Sequence, residues 1–174
     1  MIILDTHIWL WWVNENTDLI GQVRNDLIQS AEIVAVSAIS CFEVAWLDAH
    51  SRIELPCSRT NWFEKALEGS GINLLPITPA IASIAVDLPE HHSDPQDRII
   101  IATALSQDAQ LMSADRKFSR YKELADRLLL IVTRFDPLSA FKIDPPLALD
   151  FAGGCSYQQP SFRRALQGAL QDGY

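Results

Sequence analysis

Residues 1–12 read MIILDTHIWLWW, and the fold turns on how this stretch divides. Met1–Leu4 is a short apolar run that stops at Asp5, which predicts a buried strand. From Thr6 to Val13 the chain reads as a helix start, with Trp9, Trp11 and Trp12 supplying bulk. The same alternation recurs downstream. Thr17–Ser30 predicts one amphipathic helix with Leu19, Val23 and Leu27 on its inner face, and Ile33–Val36 predicts a strand. Ser37 suits the N-cap of a helix reaching about Ala49. A helix at Asn61–Glu68, a strand at Ile72–Leu75 and a helix at Pro79–Leu88 follow. Asp94-Pro95-Gln96-Asp97 then opens RIIIATAL, an acidic cap with proline at the first helical position. Short strands at Leu111–Met112 and Leu128–Val132 complete the pattern. Apolar strands without a polar face, alternating with helices, imply an α/β sandwich around a mostly parallel sheet.

The 174 residues suffice for one domain with a sizeable core, and 48% hydrophobic with 21% charged residues excludes a disordered chain. After Thr133 the character shifts. Pro137, Pro145, Pro146, Pro160 and Gly153-Gly154 describe a linker, and Phe162, Ala165, Leu166, Ala169 and Leu170 share one face of a short closing helix. The expectation is a domain over residues 1–133 carrying an extension over 134–174. No apolar run approaches the roughly 18 residues of a membrane span, and the N-terminus lacks a basic signal region, so a cytoplasmic protein is expected. Cys41, Cys57 and Cys155 are scattered and read as inert thiols. The net charge of −8 resides in residues 1–133, with 10 basic and 18 acidic side chains. That balance opposes nucleic-acid binding unless cations offset part of it.

Four acids stand out. Asp5 and Asp115 each end a strand, at the edge of a parallel sheet where ligands bind. Glu43 lies in VSAISCFEVAWLDA, on a helical face with Ile39, Trp46 and Leu47, where a lone buried carboxylate is costly. Asp97 takes the third position of its helix, with Asp94 at the cap. Each has an ordinary explanation: capping for Asp5, Asp94 and Asp97, a solvated turn for Asp115, a boundary position for Glu43. In a parallel sheet all four positions can face one edge, and clustered carboxylates need cations. Hard oxygen donors suit Mg²⁺ or Mn²⁺, and the chemistry such a site supports is phosphodiester hydrolysis.

LDTHIWLWW, VSAISCFEVAWL, LLPITPAIASIAVDLPEHHSDPQDRIIIATAL and LMSADRKF, in this order over residues 1–133, resemble the VapC-type PIN-domain toxins. The resemblance implies a PIN-like three-layer α/β sandwich and a Mg²⁺-dependent endoribonuclease, with Mn²⁺ able to substitute. Asp5 and Asp97 would then be principal metal ligands, Glu43 and Asp115 would complete the quartet, and Asp94, Ser113 and Thr6 would support it. RNA as substrate, dimerisation and inhibition by a cognate antitoxin are likewise implied. The DAHSRIEL stretch lacks the Lys and Gly common in the family, and the tail has no counterpart in the usual pattern. Arg98 and Arg116 are candidates for steering phosphates. His91-His92, in a polar loop beside proline, reads as solvent-exposed, and the three tryptophans as core or dimer packing. Two alternatives are a catalytically silent PIN scaffold that binds a partner and a receiver-like Mg²⁺ module. The receiver lacks its acceptor, because the middle strands end at Ser37 and Pro76. An aspartate-nucleophile phosphatase needs an acid where His7 stands.

Overall fold

Three-residue and four-residue apolar strands need cover on both sides, and the chain supplies it for Ile2–Leu4 and Val34–Ser37, while Asn73–Leu75 at the sheet edge stays partly exposed. The computed structural model describes residues 1–132 apart from positions 15, 92 and 93, so Cys155 and the expected extension and closing helix lie outside the described residues. Five strands form one sheet: β1 (Ile2–Leu4), β2 (Val34–Ser37), β3 (Asn73–Leu75), β4 (Gln110–Ser113) and β5 (Leu128–Leu130). Their order is β3-β2-β1-β4-β5, and every pairing is parallel. Seven α-helices connect them: α1 (Thr6–Val13), α2 (Thr17–Ile20), α3 (Gln22–Ser30), α4 (Ala38–Ala49), α5 (Arg59–Leu67), α6 (Pro79–Asp87) and α7 (Pro95–Ser106).

Period-two alternation along the strands builds two cores. Ile2, Leu4, Val34, Val36 and Met112 face one, and Ile3, Ala35 and Leu111 face the other. The first core holds the tryptophans of α1: Trp9 donates its indole N–H to the Ala66 carbonyl at 3.2 Å and packs against Trp62 at 5.1 Å. Trp9, Trp11 and Trp12 are all buried here, which settles them as core residues. The second core is made by α6 and α7 with Phe118, Tyr121 and Leu124 from the 3₁₀ turns after β4. Helices on both faces of a parallel sheet give the expected three-layer α/β sandwich.

One element departs from expectation. Thr17–Ser30 is two helices, broken at Gly21, whose φ of +81° is a left-handed conformation that glycine adopts without strain. The break resets the helical phase, so Val23 and Leu27 point outward while Ile20, Asn25 and Ile28 turn in.

The strand order also locates the functional edge. The chain runs β1, β2, β3 in one direction and then returns to the far side of β1 for β4 and β5. Such a reversal leaves a crevice beyond the carboxyl ends of the two strands that flank it, here β1 and β4.

Candidate active site

Asp5 follows β1 and Ser113 ends β4, so both stand at that crevice. Asp5 is buried; its Oδ1 accepts the Thr6 backbone N–H at 2.7 Å as the N-cap of α1. Its Oδ2 accepts the Ser113 hydroxyl at 2.7 Å. Ser113 Oγ in turn accepts the Asp115 backbone N–H at 3.0 Å, and Asp115 Oδ1 caps Lys117 N–H at 2.8 Å. One hydroxyl thus fixes both the Asp5 carboxylate and the turn that carries Asp115. Below them, Thr103 Oγ1 donates to the Ile99 carbonyl at 2.7 Å, so Ser37 is the donor in the 3.1 Å Ser37–Thr103 contact. That bond ties the end of β2 to α7. Ser37 caps α4 by position alone, since its side chain makes no capping bond.

Glu43 enters from α4 and Asp97 from the first turn of α7, where Asp94 Oδ1 caps the helix through Gln96 N–H at 2.9 Å. Burial pushes the Asp97 carboxyl up to about 8, and the charges of Asp5, Glu43, Asp94 and Asp115 add to the shift. Glu43 is raised by burial first and by Asp5 next; the neighbouring Thr6 hydroxyl and the charge of His7 oppose the rise. The structure therefore brings Asp5, Glu43, Asp94, Asp97 and Asp115 into one electrostatic cluster, with Thr6 and Ser113 between them. Among the described residues no three of the acids, cysteines or histidines close tightly enough to form a finished cage for an ion. The donors present are all oxygen, the set that Mg²⁺ and Mn²⁺ prefer.

The basic residues divide. Arg116 stays exposed, immediately after Asp115, as the first residue of a 3₁₀ turn. Arg98 corrects the expectation that it steers phosphate. Its Nε donates to the Ala85 carbonyl at 2.9 Å, and one terminal nitrogen donates to Val86 and Leu88 at 2.7 and 2.9 Å. The guanidinium is spent on the carbonyls that end α6, which α6 itself leaves unpaired. His91 is exposed and meets Tyr121 edge-on at 5.0 Å; His92 lies outside the described residues. Burial lifts the Cys41 thiol to about 11, consistent with an inert role. His7, Ser37 and Thr103 carry no site role in the sequence pattern. Ser37 and Thr103 act by a contact across 66 positions that no local pattern signals.

The pattern of the PIN domain family matches residues 2–124, a span that contains every acid of the cluster. Ribonuclease VapC22 of Mycobacterium tuberculosis is 35% identical over 122 residues, covering 70% of this chain and 92% of that protein. The fold is shared with VapBC2 from Rickettsia felis bound to a DNA fragment from its promoter, at a TM-score of 0.56 and 18% identity over 74% of this chain and 97% of that one. A toxin–antitoxin complex from Klebsiella pneumoniae gives 0.51 and 21% over 71% and 94%. Sequence pattern, sheet order and the length shared with a ribonuclease relative agree, and this chain belongs to the PIN domain family.

Proposed function

We propose that the chain is a metal-dependent endoribonuclease and the toxin of a toxin–antitoxin pair. The observation that carries the reading is the convergence on Asp97 of four further carboxylates from four segments of the chain, at the crevice between β1 and β4. Asp5, Asp97 and Asp115, with Glu43, are the residues that would hold Mg²⁺ or Mn²⁺. When bound, such an ion lowers the pKa of water and stabilises the leaving oxygen of a phosphodiester.

The chain's own residues set the geometry. Ser113 holds Asp5 to one rotamer and pins the turn that presents Asp115. Glu43, raised by burial and by Asp5, would orient the attacking water or take its proton. Arg116, exposed after Asp115, would meet a phosphate, while Asp94 adds to the negative field. The VapC22 relative supports ribonuclease activity, and the two solved toxin–antitoxin assemblies of like fold support a cognate antitoxin. A homodimer is proposed on the same family grounds. An antitoxin that inserts a basic side chain would meet complementary charge at the acidic cluster.

The test is Mg²⁺- and Mn²⁺-dependent cleavage of an RNA panel that includes tRNA and ribosomal fragments, with Asp97→Asn as the comparison. Metal-dependent cutting that vanishes in the variant is the expected result. A folded protein that binds metal and cuts nothing would leave a partner-binding PIN scaffold. A protein that binds no metal removes the site.

A further inference from the structure

Helix α4 has three flanks. Ser40, Val44 and Leu47 face inward, Glu43 stands at the border, and Trp46 and His50 continue from Glu43 three and seven residues on. These spacings keep all three on one side of the helix, about 4.5 and 10 Å along the axis from Glu43. Trp46 is 42% exposed, unusual for so large an aromatic in a chain whose other described tryptophans are buried. His50 lies against it with ring centroids 4.1 Å apart and planes 25° from parallel.

The imidazole is held there. His50 Nδ1 lies 2.8 Å from the Trp46 carbonyl, and since a carbonyl only accepts, Nδ1 carries the proton. The His50 backbone N–H reaches the same oxygen at 3.1 Å, so ring and backbone are both fixed. The pair is a pre-ordered stack held at the surface. Arg52 is exposed two residues on, and Arg59, anchored to Asp48, is also at the surface nearby. Arg59 is committed to Asp48, which leaves Arg52 as the cation following the stack, and Phe42, 56% exposed four residues before Trp46, adds a further aromatic ring to the same helix; rings with a cation beside them suit an unpaired base and its phosphate.

We propose that Trp46 and His50 form a stacking platform for an unpaired base of the RNA, next to the phosphodiester held at the acidic cluster. The proposal rests on the ribonuclease reading and narrows it: the substrate is single-stranded where it crosses α4. Stacking tolerates any base, so the platform selects strandedness and leaves sequence to other contacts.

The full-length protein is compared with Trp46→Ala, Trp46→Phe and, as a remote control, Val23→Ala on α3. Binding is read by anisotropy with labelled 2′-O-methyl single strands and the matching duplex, cleavage as KM and kcat on an unmodified strand, and metal affinity by Mn²⁺ titration. Trp46→Ala is expected to weaken single-strand binding and raise KM by about 5- to 150-fold, with kcat and Mn²⁺ affinity little changed. Trp46→Phe retains most of the binding, and duplex binding does not distinguish the variants. If the parent cuts RNA and Trp46→Ala binds and cuts as well, the platform is wrong and the ribonuclease reading stands. If Trp46→Ala loses a co-expressed protein partner and keeps RNA, this face is a protein interface and the platform is wrong. If the parent neither binds nor cuts any strand, the ribonuclease reading falls and takes the platform with it.

Discussion

Asp97 pays for its position, and the cost has a pH signature. An ordinary aspartate titrates near 3.8, whereas here burial and four neighbouring carboxylates raise the group to about 8. Between these values the folded chain keeps a proton that the unfolded chain has released. Metal-free stability therefore falls as pH rises from about 4 to about 8, then levels off. Glu43, also raised, pushes in the same direction. Urea unfolding in EDTA at pH 5, 7 and 9 should show the decline, Asp97→Asn should flatten it, and Mg²⁺ should restore stability at pH 9. Stability that is flat or rising over that range in the metal-free protein would refute the cluster. At Ser113 the expectation is different in kind. Ser113→Ala frees Asp5 Oδ2 and the Asp115 turn together, and metal affinity should drop by about 10- to 100-fold. Ser113→Thr keeps the hydroxyl and should stay near the parent; equal losses in both variants would mean that packing, and not the hydrogen bond, sets the site.

Among the elements, the junction of α6 and α7 carries Asp94 and Asp97 and is closed by Arg98. Three charge-assisted bonds to carbonyls cannot be reproduced by a lysine, whose single ammonium lacks the planar fork. Arg98→Ala and Arg98→Lys should both lower the unfolding free energy, the former by about 2–4 kcal/mol. Neither should change the salt dependence of RNA binding; a change there would return Arg98 to phosphate steering. Sequence gave no warning of this role, because an arginine beside an aspartate in a helix start looks the same whether it reaches outward or back. The strands and α1, α4, α6 and α7 were legible for the opposite reason: their period and caps are local. Thr17–Ser30 failed at one residue, since Gly21 inside an i, i+4 pattern is compatible with either a continued helix or a break. The added Cβ of Gly21→Ala would meet nothing within 4 Å, so its cost is that of holding alanine at φ +81° and ψ 144°, about 1–3 kcal/mol by urea unfolding.

At the scale of the molecule, the sheet separates two cores and gathers acids from positions 5 to 115 at one edge, which is why the acids were readable only as a set. Asp5 alone is a cap, and Asp97 alone is a favourable helix-start charge; parallel strand order makes them neighbours. The same chain carries a net charge of −8, and this constrains how it holds RNA. The cations that follow the site's acids are Arg116 and Lys117 directly after Asp115, Arg120 and Lys122 further along, and Arg52 beyond the Trp46–His50 stack, of which the first pair and Arg52 lie next in sequence to the proposed contacts. Two or three phosphate contacts to a single strand release few counterions, so log K against log salt should have a slope of about −1.5 to −2. Stacking, which releases none, then supplies much of the affinity, and Trp46→Ala should leave that slope unchanged while shifting the whole line. The measurement is anisotropy with a 2′-O-methyl strand across a range of NaCl concentrations at fixed saturating Mg²⁺. A slope steeper than about −4 would require a basic track of about six or more contacts. Among the described residues Arg116, Lys117, Arg120 and Lys122, all exposed after Asp115, supply four cations, so that result would mean that all four meet phosphates together with further contacts from elsewhere.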